Sequence, residues 1–228
     1  MKKNKKNPEF KKYKYSFAAV DLAVFAIIKN ELNVLMVKIK YEPFKSKMSL
    51  PGGRIRTYES VDECAKREFY EETGIKNAYM EQLYSFGGVE RDPSTRIISI
   101  AYMILINNRD INLKTTEKYK EIYWMPVSEV PKLAYDHNKI LKYAVSRLKS
   151  KLTYTNIVCN LLPQKFGLSE MKKIYEIILS RELDKRNFRK KIFSLDLINE
   201  VGREAGVPHR PSKLYSFKKR SPMIVEIF

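Results

Sequence analysis

The chain has 228 residues, 44% of them hydrophobic, enough for one large domain or two modest ones with ordinary packed cores. Its 44 Lys and Arg outweigh 26 Asp and Glu, giving a formal net charge of +18, so the placement of basic runs becomes the first question. Two cysteines, Cys64 and Cys159, exclude a disulfide framework and fit a reducing, cytoplasmic setting; the most apolar early stretch, Phe17 to Ile28, is interrupted by Asp21 and too short to cross a bilayer.

Residues 1–14 hold seven lysines against one acid, Glu9, and read as a solvated basic tail. Residues 15–150 then read as one domain. Two apolar runs, Phe17 to Ile28 and Leu32 to Ile39, flank the polar break Lys29-Asn30-Glu31 and predict paired strands. Ser49-Leu50-Pro51-Gly52-Gly53 breaks that pattern. Ser60 to Thr73 predicts a helix that stops at Gly74. Strands are expected over Ala78 to Phe86, Ile97 to Ile106 and Glu121 to Pro126, with a polar loop, Gly87 to Arg96, between the first two. Asp136 to Leu148 predicts a helix with Asp136 as its N-cap. Strands and helices in this mixed order indicate an α/β fold, an α/β/α sandwich.

Within this domain Gly53, Glu59, Arg67, Glu68, Phe69, Glu71, Glu72, Gly74 and Ile75 fit the pattern G-x5-E-x7-R-E-U-x-E-E-x-G-U, with U a bulky apolar residue. Glu68, Glu71 and Glu72 stand at i, i+3 and i+4 and so gather on one helical face. Three such acids repel one another unless a cation sits between them, and hard oxygen ligands of this kind select Mg2+ or Mn2+. Glu59 enters from the preceding loop, and Arg67 is placed to hold either Glu59 or Glu71. Gly52 and Gly53 let the backbone pass close behind the acids. Arg91 and Arg96, in the polar loop, either grip phosphates and riboses or take part in a surface Asp–Arg pair with Asp92. Cys64 and Cys159 read as packing residues, and His137 as a packing or capping residue rather than a ligand.

The pattern resembles the Nudix hydrolase box at every defined position. The resemblance implies Glu68 and Glu72 as metal ligands with Glu71 a third, and a catalytic base that varies between members. Glu90, Glu117 and Glu121 are open candidates for that base. Trp124-Met125-Pro126 is similar to the W-x-P segment near the end of Nudix domains, where Trp124 is expected to be structural first, with stacking on a base as the alternative.

After Lys151 the character changes, and residues 151–228 read as a second domain. Leu152 to Val158 suggests a short strand. Ser169 to Leu179 is an amphipathic helix with Ser169 as its expected N-cap. Asp184 then caps a second helix in which Lys185, Arg186, Arg189, Lys190 and Lys191 carry no opposing acid. Arg186, Arg189 and Lys190 share a face opposite Phe188 and Ile192. Helix, short connection and basic helix make a helix-turn-helix, with Arg186 or Asn187 placed to reach base edges. Leu195 to Glu204 and Lys213 to Phe217 are expected as wing strands, with His209 near the tip and Lys213, Lys218, Lys219 and Arg220 adding charge beside it.

The segments Asn160 to Glu170, Leu183 to Ile192 and Arg210 to Phe217, together with Gly87 to Tyr102 and Asp136-His137, resemble Nudix-related transcriptional regulators. That family includes regulators of NAD biosynthesis and of sugar catabolism. The resemblance implies a homodimer on a double-stranded DNA operator, with a Nudix domain that senses ADP-ribose or a related nucleotide sugar. Several members have degenerate boxes and do not hydrolyse. All box glutamates are present here, so a Mg-dependent pyrophosphatase acting on ADP-ribose is the alternative, alone or combined with regulation. An RNA-directed Nudix enzyme is a third reading.

Overall fold

The computed structural model describes residues 16–107, 113, 116–206, 211–225 and 227. The expected basic tail, residues 1–14, and the wing-tip residues His209 and Arg210 lie outside them. No helix among the described residues is long and apolar enough to cross a membrane.

Strands β1 (Phe17–Ile28), β2 (Glu31–Ile39), β3 (Met48–Ser49), β4 (Gly52–Arg54), β5 (Tyr79–Phe86), β6 (Ile97–Leu105) and β7 (Tyr119–Pro126) form one mixed sheet. Its main order is β3-β2-β1-β6-β5, with β4 on β1 and β7 on β2. The alternation of side chains along a strand sends successive residues to opposite faces. On β1, Val20, Leu22, Val24 and Ala26 enter the core beneath helix α1 (Val61–Thr73), with Cys64, Ala65 and Phe69. Ala23 and Phe25 enter the other core, with Ile140, Leu141, Ala144 and Leu148 of helix α2 (His137–Tyr154). A strand buried on both faces explains why β1 reads as a nearly continuous apolar run. The two helices on opposite faces complete the expected sandwich.

β1 changes partners along its length. Its later half pairs with β2, Phe25 opposite Val34, while its earlier half pairs with β4, Val20 opposite Gly53. A cleft opens where the two partners diverge.

Helix α2 departs from expectation at both ends. Asp136 stands at the N-cap position, but its side chain makes no cap bond and turns to Arg91 instead. At the other end the helix runs on to Tyr154, where a strand over Leu152 to Val158 was expected. The stripe Ala144, Leu148, Leu152 keeps a four-residue spacing, and burying Leu152 outweighs the strand preference of Thr153 and Thr155.

The second half has helices α3 (Leu168–Leu179) and α4 (Lys185–Ser194) and a three-stranded sheet ordered β8-β10-β9, with β8 Phe166–Gly167, β9 Ile198–Arg203 and β10 Lys213–Phe217. The N-cap of α3 is Gly167, not Ser169, and provides no side-chain bond. Phe166 and Gly167 are paired to β10, so the chain passes directly from strand into helix one residue before Ser169. Asp184 caps α4 as expected, accepting a hydrogen bond from the Asn187 N–H at 2.8 Å.

The halves share one apolar core. Met171, Ile174, Tyr175, Phe188, Ile192 and Phe217 belong to the same continuous cluster as Phe25, Met103 and Leu148. Asn156, fully buried just after α2, fastens the joint: its amide donates to the carbonyls of Lys219 and Ser221, and its carbonyl accepts from the Met223 N–H.

Candidate functional site

Ser60 and Glu63 form a reciprocal capping box at the start of α1, and Gly74 ends the helix at φ +70°, so both ends of the acidic helix are fixed locally. Glu68 and Glu72 point inward and are each 1% exposed. Gly53 of β4 lies against Glu68; a Cβ there would sit 1.9 Å from its Oε1, so only glycine leaves the carboxylate its place. Gly52 is equally confined, by the Val20 carbonyl.

Arg67 organises the loop side. Its Nε and NH2 grip Glu59 at 2.8 and 2.7 Å, and its NH1 donates to Glu68 at 2.6 Å and more distantly to Glu71 at 3.4 Å. The Arg67 guanidinium, with the Arg56 N–H, holds the Glu59 carboxyl down to about 2 despite burial. Glu59 is thus a fixed anion that positions Arg67. Glu72 is the opposite case: neither of its buried oxygens has a hydrogen-bond partner. Burial, then the neighbouring Glu68, pushes its carboxyl up to about 8. A stranded carboxylate beside two more acids is the donor set a hard divalent cation requires. As they stand, no three acid, imidazole or thiol side chains among the described residues converge on a single ion position. The Lys118 ammonium lies against Glu68 and Glu71 instead.

The cleft beside these acids has a volume of about 260 Å³ and is lined by Asp21, Tyr41, Gly52, Gly53, Arg54, Arg91, Asp92, Lys118, Tyr135 and His137, among others. Its floor is a buried ionic network that sequence reasoning did not assemble. Arg91 reaches Asp21 and Asp136, both at 2.9 Å. Asp21 also accepts from the Ser99 hydroxyl at 2.5 Å and lies 3.3 Å from His137 Nε2. Burial opposes the Asp21 charge, yet His137, Arg91 and Ser99 hold it down to about 2. The Leu50 N–H donates to His137 Nδ1 at 3.1 Å, which leaves the imidazole proton on Nε2, facing Asp21. Ser49 lies 3.0 Å from the same Nδ1, but its hydroxyl donates to the Leu50 carbonyl, so the trio clamps the β3–β4 connection and presents no free nucleophile. The signal for this floor was Asp21 itself, an acid inside a strand buried on both faces, which must find partners.

Of the two loop arginines, Arg91 lines the cleft with its guanidinium engaged by carboxylates, and the pair is with Asp21 and Asp136, not with Asp92. Arg96 donates to the Gly88 carbonyl at 2.9 Å and lies outside the cleft lining. None of Glu90, Glu117 and Glu121 lines the cleft, and Glu121 pairs with Lys38 at 3.2 Å. Trp124 packs on the core beneath α1 as a structural residue. Cys64 and Cys159 are buried thiols, pushed up by burial to about 12 and about 11, and serve packing.

In the second half Lys185, Arg186, Asn187, Arg189 and Lys190 of α4 are all exposed, while Phe188 and Ile192 are buried against the core. The Arg189 guanidinium lies over the Phe193 ring at 4.9 Å, which stiffens it along the helix surface. Lys213, at the start of β10, is exposed and paired with Glu200 at 2.6 Å. Arg220 does not add free charge beside the wing: its guanidinium is taken up by the carbonyls of Leu162 and Pro163.

Comparison with known proteins matches two segments of the chain. Residues 20–145 match the NUDIX domain family, and residues 158–217 match the NrtR DNA-binding winged helix domain. The "ADPR responsive transcriptional repressor NtrR" of Acinetobacter baylyi is 32% identical over 209 residues, covering 90% of this chain and 83% of that protein. The ADP-ribose pyrophosphatase of Methanocaldococcus jannaschii is 37% identical over 142 residues, 62% of this chain and 82% of that one. The crystal structure of Shewanella oneidensis NrtR complexed with a 27mer DNA superposes with a TM-score of 0.76 at 26% identity, covering 88% of this chain and 93% of that chain.

Proposed function

The chain belongs to the Nudix family, in the branch that carries an NrtR-type winged helix, and from that premise we propose that it is a cytoplasmic DNA-binding repressor whose operator affinity is set by ADP-ribose. The observation that carries this reading is the exposed cationic face of α4, mounted through one shared core on a domain with a complete Nudix carboxylate set. Arg186, Arg189 and Lys190 neutralise phosphates, Lys185 and Lys213 add charge to either side, and Asn187 stands near the start of the helix that enters the groove. Two copies, one per half-site, form the working unit on a palindromic operator. ADP-ribose in the cleft favours one arrangement of those copies over the other, and the differential affinity supplies the energy of release.

Glu68, Glu71 and Glu72 would hold a divalent ion, Mg2+ or Mn2+, and the unpartnered Glu72 is the feature that fits it. When bound, such an ion neutralises a diphosphate and polarises its phosphorus centres. Arg67 keeps Glu59 and Glu68 in place, Gly53 admits Glu68, and the Asp21–Arg91–Asp136 network fixes the cleft floor.

A mobility-shift titration tests the regulator directly, using a duplex that the full-length protein has itself selected from random sequence. Saturating ADP-ribose should weaken binding by at least about fivefold, the low end of ordinary coupling between sites. Unchanged affinity would end this reading. The complete box and the pyrophosphatase relative support hydrolysis as a second activity. AMP released from ADP-ribose with Mg2+, and lost in Glu72→Gln, would establish it; no AMP from the unaltered protein would exclude it.

A further inference from the structure

The box carboxylates already face a cation supplied by the chain. Lys118 Nζ lies 2.9 and 2.7 Å from the two oxygens of Glu68 and 3.8 Å from Glu71 Oε2. The next residue is firmly anchored: the Tyr119 hydroxyl donates to the Gly52 carbonyl at 2.8 Å and accepts from the Gly52 N–H at 3.1 Å. Lys118 is therefore tied at its base to the glycine segment that abuts Glu68, which places its ammonium over both oxygens at once. An ammonium brings one charge to a site of three acids, and Glu72 is left with no partner for either oxygen. A divalent ion brings two charges and needs the same Glu68 oxygens.

Taking Glu68, Glu71 and Glu72 as the metal ligands proposed above, we infer that Lys118 is a tethered competitor of the divalent ion. Its ammonium occupies the space between Glu68 and Glu71 until metal displaces it. Metal loading is then weaker than the three acids alone would give. Lys118 also lines the cleft, so the displaced ammonium stays within reach of an anionic ligand there. A diphosphate that draws the lysine away frees Glu68 for the ion, and ligand and metal reinforce each other.

The test is Mn2+ binding to the full-length protein without nucleotide, read from the free-ion electron paramagnetic resonance signal. The Lys118 side chain is 43% exposed, so substitutions there are accommodated. Lys118→Met should bind Mn2+ at least about fivefold more tightly than the unaltered chain, the low end of ordinary coupling. Lys118→Arg, which keeps the charge, should gain less than the Met variant. A smaller gain in Lys118→Met, or an equal gain in Lys118→Arg, overturns the competition while leaving the carboxylates as metal ligands. No Mn2+ uptake at millimolar concentration by either the unaltered chain or Lys118→Met removes the metal site itself, and the competition with it.

Discussion

Replacing Glu72 with Gln removes a carboxyl group that the folded chain ionises only at a disadvantage. Burial first, then repulsion from Glu68 and Glu71 with partial relief from Lys118, raises its carboxyl to about 8. Between the ordinary glutamate value of about 4.3 and this raised value, the folded chain keeps a proton that the unfolded chain has lost. Stability therefore falls as pH rises through that window. Each pH unit crossed removes about 1.4 kcal/mol, which by pH 7 amounts to about 3 to 4 kcal/mol. The Gln amide has nearly the same shape and no charge. In metal-free buffer, Glu72→Gln should be more stable than the unaltered chain by about 3 kcal/mol at pH 7, and equal to it near pH 4. Urea unfolding with a chelator present, followed at both pH values, reads the difference through the midpoint at constant slope. Added Mg2+ should narrow the gap, because only the unaltered chain gains a ligand in its native state. A Gln variant no more stable at pH 7 without metal would refute the reasoning, since the carboxylate would then be solvated or bonded rather than stranded.

Gly53→Ala drives a methyl group into Glu68; calorimetry should show loss of metal-assisted ADP-ribose binding, and unfolding a cost of about 1 to 3 kcal/mol. Unaltered ligand binding would mean that Glu68 is free to move aside. Arg186→Ala and Lys190→Ala should each weaken duplex binding and reduce the steepness of its salt dependence by about one counterion, measured by fluorescence anisotropy across a salt series. An unchanged slope would take α4 off the phosphate backbone. Asn156→Ala strands the Met223 N–H and the carbonyls of Lys219 and Ser221 and should cost about 2 to 3 kcal/mol in urea unfolding. A loss below about 0.5 kcal/mol would show that water replaces the amide.

The sandwich was legible because its signals are local and repeated. The nearly continuous apolar runs of β1 and β6, the capped helix α1 and the four-residue stripe of α2 are all written in neighbouring residues. The box was legible because its spacing maps onto one helical turn, and the basic face of α4 because Phe188 and Ile192 fix which side is buried. Errors fell where a tertiary partner overrides a local preference. Asp136 is a good capping residue, but the buried Arg91 guanidinium claims its carboxylate. Thr153 and Thr155 favour extended chain, but Leu152 has a place in the core. Lys118 and Tyr119 carried no signal, because their importance comes from meeting Glu68 and Gly52, 50 and 67 residues away in the chain.

Helix α2 has 18 residues and is therefore about 27 Å long. One end begins beside Asp136, in the floor of the cleft; the other reaches Tyr154, whose carbonyl receives the Val225 N–H of the returning C-terminal segment. Such a rod works as a lever. A tilt of about 5° at the cleft would displace its far end by about 2 Å, enough to move a packed interface from one fitted arrangement to another. Because no loose linker absorbs the motion, the winged helix would travel with the rod, and a small molecule would gain mechanical purchase on a duplex it never touches.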